Sequence, residues 1–306
     1  MEKNKKLFYD LVLVTTALIW GVSFVWVKSV LNAGMDSSFF LFVRYLLASL
    51  IWLPFCVKDL SHITRRQLLM GVIVGLFLYG GMLVQTIGLG STTPSNSAFI
   101  TTSYVVCTPF VTWLILRRRP HKKVYFCAAL CFLGVYILTR VPGEAFSLSL
   151  GDGLTLISAL LFAMQMTFLF RFSPHIPTKL LAFLPQATAA FLCFITAMLN
   201  NTISFKGVEI EKALGPIMLV VFVATIGAGY LQTLGQKHVE PSRAAIIFSL
   251  ESVFACMASV LMGYEHLTVN LVIGGLIIVA SIVYVELPER KKEKQTETVP
   301  AEPSVK

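Results

Sequence analysis

Long apolar stretches, separated by short polar ones, recur along the whole chain of 306 residues. Because the core of a bilayer is about 30 Å thick, a helix needs about 20 apolar residues to cross it. The pattern predicts ten such spans, at residues 11–31, 39–57, 68–88, 98–116, 124–140, 153–170, 180–199, 215–235, 244–263 and 271–287. We therefore expect an all-α polytopic membrane protein.

The composition agrees with this pattern. Hydrophobic residues make up 56% of the chain and charged residues 13%, with a mean hydropathy of +0.77. Soluble domains carry about 25% charged residues. The first span follows several lysines, as a signal peptide would, but it is too long for one and has no cleavage site after it. We expect it to remain as a helix.

The distribution of basic residues predicts which way the chain faces. If the N-terminus is cytoplasmic, most of the 25 Lys and Arg residues lie on the cytoplasmic side, and the opposite loops hold only Lys206 and Lys212. Both termini are then cytoplasmic. The net charge of +9 is spread over helix ends, where it meets lipid headgroups, so no nucleic-acid partner is expected. The charged tail, 288–306, is predicted to be a disordered cytoplasmic segment.

The chain contains an internal repeat. The stretch "QTIGLGSTTPSNSAFITTSY", Gln85 to Tyr104, aligns without a gap with "QTLGQKHVEPSRAAIIFSLE", Gln232 to Glu251, which lies 147 residues later. Further matches are Asp10 with Asp152 and Arg44 with Gln186, each 142 residues apart, and Pro94 with Pro241. We infer two five-span repeats, 1–141 and 152–287.

Because five is an odd number, the second repeat must cross the membrane in the opposite sense to the first. Inverted repeats of this kind place a substrate site near the midplane, between the two halves of a transporter. Rocking of the halves then exposes that site to each side in turn. This symmetry favours a transporter over a channel, a receptor or an intramembrane enzyme.

Four stretches also carry a family likeness: "ALIWGVSFVWVK" (Ala17 to Lys28), "FVRYLLA" (Phe42 to Ala48), "NSAFITTSYVVCTPFVTWLILRRRP" (Asn96 to Pro120) and "PSRAAIIFSLESVFACMASVLMGYEHLT" (Pro241 to Thr268). In this order, and on a repeat of five plus five spans, the chain resembles the drug/metabolite transporter superfamily, and specifically its EamA-type members. The resemblance implies a permease of the bacterial inner membrane that exports small metabolites such as amino acids. It also implies a central cavity lined by both halves.

The chain departs from this family at one position of the ninth span. The family often reads S-L-E-P-V-F-A there, and Ser252 stands in place of the proline. A proline ring would kink the helix, so we expect the kink to be lost at this point.

An ionisable side chain inside a membrane-spanning helix costs about 2.5–3.5 kcal/mol to insert, so it is a functional candidate by default. Glu251 is the clearest case. Counted at about 1.5 Å per residue from Ala244, it lies roughly 10 Å inside the cytoplasmic face and is too short to reach it. We interpret Glu251 as a group that binds a substrate amine or carries a coupling proton. The structural alternative is a neutral glutamic acid bonded to a neighbouring helix.

Arg44 is the natural ion partner of Glu251, but roughly 12 Å separates their predicted levels in the bilayer, so no direct salt bridge is expected. Arg44 is instead expected to reach the outer headgroups or to clamp backbone carbonyls. It is assigned a structural or gating role. The same role is assigned to the prolines that precede matched spans and to a glycine pair in span three: Pro94, Pro241, Gly80 and Gly81.

The remaining pocket candidates are polar or aromatic side chains inside the spans: Trp20, Tyr79, Thr101, Tyr104, Gln165, Tyr230 and Gln232. Such linings suit small amphipathic solutes. Two alternatives stay open. Thr101 and Tyr104 share a polar face that suits either a cavity or hydrogen bonding between helices, and the aromatic residues suit either a pocket or anchoring in lipid.

The sequence gives no sign of a cofactor, a metal site or an enzyme. Its six cysteines lie in or at the ends of apolar spans without metal-ligand spacing, and no nucleotide or catalytic motif is present. We therefore expect a secondary transporter driven by a gradient, with a small-molecule substrate, membrane lipids around it, coupling to a proton or counter-substrate, and a monomeric or homodimeric state. The alternative is a non-transporting membrane scaffold. An intramembrane enzyme would need a second catalytic group near Glu251, and none is visible in the sequence.

Overall fold

The computed structural model describes residues 2–91, 93–139, 150–264 and 266–286. The predicted end of the first repeat at residue 141 and the predicted disordered tail, 288–306, lie outside these residues. The helices are α1 (Glu2–Asn32), α2 (Ser37–Leu60), α3 (Arg65–Gly90), α4 (Pro94–Thr102), α5 (Tyr104–Leu116), α6 (Lys122–Thr139), α7 (Leu150–Phe172), α8 (Thr178–Leu199), α9 (Ile210–Leu219), α10 (Ala228–Gln236), α11 (Pro241–Phe248), α12 (Leu250–Leu261) and α13 (Val269–Glu286). A π-helical segment, Val220–Gly227, joins α9 to α10.

The helices confirm the predicted all-α membrane architecture. In the part of the chain that the structure describes, eight segments are long and apolar enough to cross a membrane, and a shorter apolar stretch, Val272–Val285, lies within α13. The remaining predicted span corresponds to α6. Three spans contain more than one helix: α4 with α5, α9 with the π-helical segment and α10, and α11 with α12.

The helix ends follow local signals in the sequence. Asp36 caps α2, because its Oδ1 accepts hydrogen bonds from the backbone nitrogens of Ser38 and Phe39 at 2.8 and 3.1 Å. Thr64 caps α3 through a reciprocal capping box with Gln67. Pro241 occupies the first turn of α11, where its missing N–H costs nothing. These signals account for the starts of α2, α3 and α11.

The packing of the helices obeys the twofold relation between the repeats. Under the sequence match, α1 corresponds to α7, α2 to α8, and α6 to α13. Accordingly α2 packs on its counterpart α8, and α6 packs on its counterpart α13. The contact between α3 and α7 is matched by the contact between α1 and the span formed by α9 and α10. The two inverted repeats are therefore interleaved around one pseudo-twofold axis in the membrane plane.

Two spans are divided near their centres, at places that match to within one residue in the two repeats. The α4–α5 pair is interrupted at Ser103 and the α11–α12 pair at Ser249. At the second break the Ser249 nitrogen donates to the carbonyls of both Ala245 and Ile246. The helix is thus interrupted three residues before Ser252 without a proline ring, and the expected effect of Ser252 on the kink stays a prediction.

The span that contains Glu251 begins earlier than the sequence predicts. It runs from Pro241 to Leu261, and Glu251 is its middle residue. The apolar run alone placed the start of the span at Ala244. The helix begins three residues earlier because the proline initiates it.

Close contacts between helices fix the position of this segment. A Cβ atom on Gly21 of α1 would lie 2.6 Å from the Glu251 carbonyl oxygen and 2.6 Å from the Phe254 Cβ of α12. The backbone of α12 thus touches α1 directly beside Glu251. Only glycine leaves room for this approach.

We expect Gly21→Ala to destabilise the fold by about 1–3 kcal/mol, because the added methyl group forces α1 and α12 apart. Gly215→Ala is the matched control, since no atom lies within 4 Å of a Cβ placed at Gly215. Thermal unfolding in detergent measures both variants. Equal transition temperatures for the two would contradict this account of the helix contact.

Candidate functional site

A cavity lies at the centre of the molecule, between the two repeats. Its empty volume is about 690 Å³, including open solvent at its mouth, and both repeats contribute to its walls. The side chains from α1 and α3 that line it all come from the C-terminal halves of those helices, from Trp20 onward in α1 and from Leu78 onward in α3. A second cavity shares Trp20, Arg44 and Gln165 with the first and continues to Leu169 of α7 and Leu181 of α8.

Twelve of the eighteen residues that line this cavity form symmetry-related pairs. Positions separated by 142 or 147 residues, the offsets of the internal repeat, face the cavity together. The pairs are Trp20 with Phe162, Ser23 with Gln165, Phe24 with Met166, Gln85 with Gln232, Thr101 with Phe248, and Tyr104 with Glu251. The pseudo-twofold axis thus passes through the cavity itself.

Tyr104 and Glu251 meet on this axis. The Tyr104 hydroxyl donates a hydrogen bond of 3.2 Å to Oε2 of Glu251, and the two residues are only 3% and 5% exposed. Within the described residues, the carboxyl group has no cation within 4 Å and no second hydrogen-bond partner in the protein. A charged carboxylate is costly in such surroundings, and either a proton or a substrate ammonium group would remove that cost.

Arg44 does not reach the outer headgroups, which corrects the sequence-based expectation. Its side chain is 4% exposed and lines the central cavity. The Nε atom donates a hydrogen bond of 2.7 Å to Oγ1 of Thr225 in the π-helical segment. The guanidinium also lies 5.3 Å from the centre of the Tyr45 ring. Packing against α8 and the π-helical segment holds the side chain inward.

The π-helical segment binds three polar side chains, of which Trp20 and Arg44 line the cavity. The Trp20 indole donates to the Ala224 carbonyl at 3.1 Å, and the Gln186 amide donates to the Thr225 carbonyl at 3.1 Å. Thr225 itself donates its hydroxyl to the Val220 carbonyl at 2.8 Å, which orients the oxygen toward Arg44. π-Helical turns often mark functional positions because they present backbone groups that a regular helix conceals.

Two glutamines related by the repeat complete the polar lining. Gln232 donates to Oε1 of Gln165 at 3.2 Å, joining α10 to α7. Gln85 donates to Oγ1 of Thr101 at 3.0 Å, joining α3 to α4. The two donors occupy equivalent positions of the repeats, and their acceptors, Thr101 and Gln165, do not.

The structure therefore brings most of the sequence-predicted residues together at one cavity: Glu251, Tyr104, Thr101, Gln165, Gln232, Trp20 and Arg44. It places two others elsewhere. The Tyr79 hydroxyl bonds Oγ1 of Thr196 in α8 at 2.5 Å, and Tyr230 packs on Trp52 with ring centres 5.6 Å apart. Both lie outside the cavity because their side chains face the α8 and α2 neighbours.

The residues assigned structural roles occupy helix contacts. Gly81 allows close approach of the Phe162 ring, since a Cβ there would lie 2.8 Å from it, and Gly80 faces Leu161. Gly81 thus lets α3 pack closely against Phe162, which lines the cavity. Pro94 and Pro241 begin α4 and α11.

Sequence reasoning missed several cavity residues, among them Gln85, Phe162 and Phe24. The internal repeat carried the signal for Gln85 and Phe162. Gln85 is the repeat partner of Gln232, and Phe162 is that of Trp20. Applying the repeat offsets to every candidate would have identified both.

Contacts join the N-terminal part of α1 to the start of α11 and the residues before it. Two hydrogen bonds of 2.8 and 2.7 Å join the Arg243 guanidinium in α11 to the Asp10 carboxylate in α1, and the side chains are 19% and 15% exposed. Beside them the rings of Tyr9 and His238 stack 3.8 Å apart. Among the described residues, no three His, Cys, Asp or Glu side chains come together as metal ligands.

We expect Tyr104→Phe to cost about 1–3 kcal/mol of stability, because it removes the hydrogen bond that the protein provides to a buried carboxyl group. Tyr264→Phe is the matched control, since its hydroxyl makes an exposed contact of 3.3 Å with Ser29. Unfolding in detergent would measure both. A Tyr104→Phe protein as stable as the control would show that the bond at the axis contributes nothing.

Comparisons with known proteins agree with this architecture. The profile of the EamA-like transporter family matches the chain twice, over residues 7–140 and 149–287. A protein of Archaeoglobus fulgidus described as an uncharacterized transporter is 33% identical over 291 residues, which cover 94% of this chain and 88% of that protein. A solved crystal structure superposes with a TM-score of 0.73 at 16% identity, covering 91% of this chain and 96% of the other, and so shares the fold.

The two matches coincide with the two halves whose side chains line the cavity in pairs. With most of its length matched by the family profile, and with a transporter relative at this identity, the chain belongs to the EamA-like transporter family.

Proposed function

We propose that the protein is a secondary active transporter of the bacterial inner membrane that exports a small amphipathic metabolite by alternating access around the central cavity. The observation that carries this proposal is the paired lining of the cavity by two inverted repeats. A site on a pseudo-twofold axis can be exposed to either side by the same motion of one repeat against the other.

The proposed orientation places both termini in the cytoplasm. The excess of basic residues on that side supports it. In that orientation the Asp10–Arg243 ion pair is proposed to close the cytoplasmic side. Export by alternating access then requires the ion pair to separate.

Glu251 is proposed to act at the centre of this cycle, with one of two roles. It either binds the amine of the solute or carries the coupling proton. Both roles suit a carboxyl group that is buried, lines the cavity and has no cation beside it in the described part of the chain. Both also explain why a costly residue stands at the midpoint of a span.

Purified protein in proteoliposomes is expected to transport or exchange at least one member of a panel of amino acids, nucleosides and cationic drugs. Radiolabelled uptake measures this directly. A panel with no uptake or exchange, from protein that remains folded, would contradict the proposed transport function.

With a transported solute in hand, Glu251→Gln separates the two roles, because it keeps the size of the side chain and removes its charge and titration. If the variant still exchanges the solute but the exchange no longer depends on pH, Glu251 carries the coupling proton. If the variant no longer binds the solute, Glu251 recognises the amine. Glu240→Gln, at an exposed position preceding α11, is the control and is expected to behave as wild type. Wild-type behaviour of Glu251→Gln would contradict both roles.

A cross-link across the cytoplasmic closure tests alternating access against the scaffold alternative. In a background without the six native cysteines, Asp10→Cys and Arg243→Cys joined by a short thiol-reactive reagent should stop transport, and a reductant should restore it. Each single variant with the reagent is the control. Full transport by the cross-linked protein would contradict the opening of this contact, and a cellular function that persists without transport would support the scaffold.

A further inference from the structure

The central cavity contains one positively charged side chain, that of Arg44, whose charge the protein leaves uncompensated. Within the described residues no carboxylate lies within 4 Å of its guanidinium. Within the same residues its hydrogen bond is made by Nε, which donates to Thr225. The two Nη atoms are therefore available to a ligand. A buried charge is costly unless it is paired with an opposite charge, and Arg44, which is 4% exposed, has no such partner in the described residues.

The surroundings of Arg44 hold the guanidinium in place. Thr225 bonds its Nε atom, and the Thr225 hydroxyl is itself anchored to the Val220 carbonyl. The Tyr45 ring lies against the guanidinium at 5.3 Å. An arginine fixed at Nε presents its two Nη groups as a planar fork, which matches the two oxygens of a carboxylate. The site therefore exists before any solute binds.

The charges of the cavity favour a carboxylate over a phosphate. Among the described residues that line it, Arg44 is the sole cation and Glu251 the sole acid. A phosphate dianion would carry more negative charge than one guanidinium can balance. The repeat partner of Arg44 is the neutral Gln186, so the second repeat adds no matching cation. One monoanionic group fits this arrangement.

The apolar part of a solute would pack against the remaining walls of the cavity. Trp20, Phe24 and Phe162 line the same cavity. Aromatic and aliphatic carbon groups pack on such surfaces, while the polar groups fix the orientation of the solute.

We propose that the Arg44 end of the cavity is a binding site for the carboxylate of the transported solute, with Thr225 as the residue that positions the guanidinium. This inference rests on the proposed transport function for the identity of the ligand as a transported solute. It is independent of which role Glu251 has, because the two groups lie on different helices and are not paired.

The test uses two matched solute series: phenylalanine, phenylalaninamide, 3-phenylpropionate and phenethylamine, and the corresponding leucine series. Binding is measured by thermal shift and tryptophan fluorescence in nanodiscs, separately from transport in proteoliposomes. We expect solutes with a carboxylate to bind about tenfold or more tightly than the same solutes without it. Arg44→Gln should bring this ratio close to one.

Two further variants retain the positive charge and keep the test decisive if Arg44→Gln does not fold. Arg44→Lys should retain part of the preference, because it keeps the charge and loses the fork. Thr225→Val should reduce the preference by freeing Nε. Lys28→Gln is the matched control, since Lys28 binds the Leu89 and Gly90 carbonyls and does not line the cavity, and its ratio should equal that of wild type.

The outcomes distinguish this inference from the proposed function. Carboxylates that bind without being transported would support the site and contradict transport. Transport of amides or amines with equal or higher affinity than carboxylates would support transport and overturn the site. A preference that survives in Arg44→Gln, or that disappears equally in Lys28→Gln, would overturn the assignment to Arg44.

Discussion

A carboxyl group at the centre of a membrane-spanning helix is the constraint around which this molecule is arranged. Lipid offers such a group no partner, so the protein must supply a hydrogen bond, a cavity or both. Here Tyr104 supplies the bond and the interface of the two repeats supplies the cavity. The contact of Gly21 with the α12 backbone then fixes the height of Glu251 between the helices.

The twofold relation determines where that bond can form. Two residues at matched positions of inverted repeats approach each other only where their helices cross the pseudo-twofold axis. Tyr104 and Glu251 are such a pair, 147 residues apart, and each follows a break in its helix. Symmetry brings the two positions together, and the difference between their side chains makes one the donor and the other the acceptor.

The functional character of the cavity arises where the repeats differ. Arg44 has Gln186 as its counterpart, yet both side chains reach Thr225 in the π-helical segment. The matching stretch of α3 is a regular helix. A symmetric frame thus carries an asymmetric polar wall, because a single π-helical segment offers acceptors to both positions. Such an arrangement presents unlike polar groups at positions that the repeat would make equivalent.

Hydrophobic patterning and the repeat alone were enough to predict the all-α membrane architecture, the ten spans and the placement of Glu251 in span nine. These features follow from bilayer thickness and backbone hydrogen bonding, which act on each segment locally. The repeat offsets also contained the pairing of Trp20 with Phe162. Only the tertiary structure decided which side chains face inward. Arg44 turns to the cavity because Thr225 meets it there, whereas Tyr79 turns to Thr196, and neither partner is near in the sequence. A membrane-spanning helix has several faces, and contacts with the neighbouring helices determine which face turns toward the cavity.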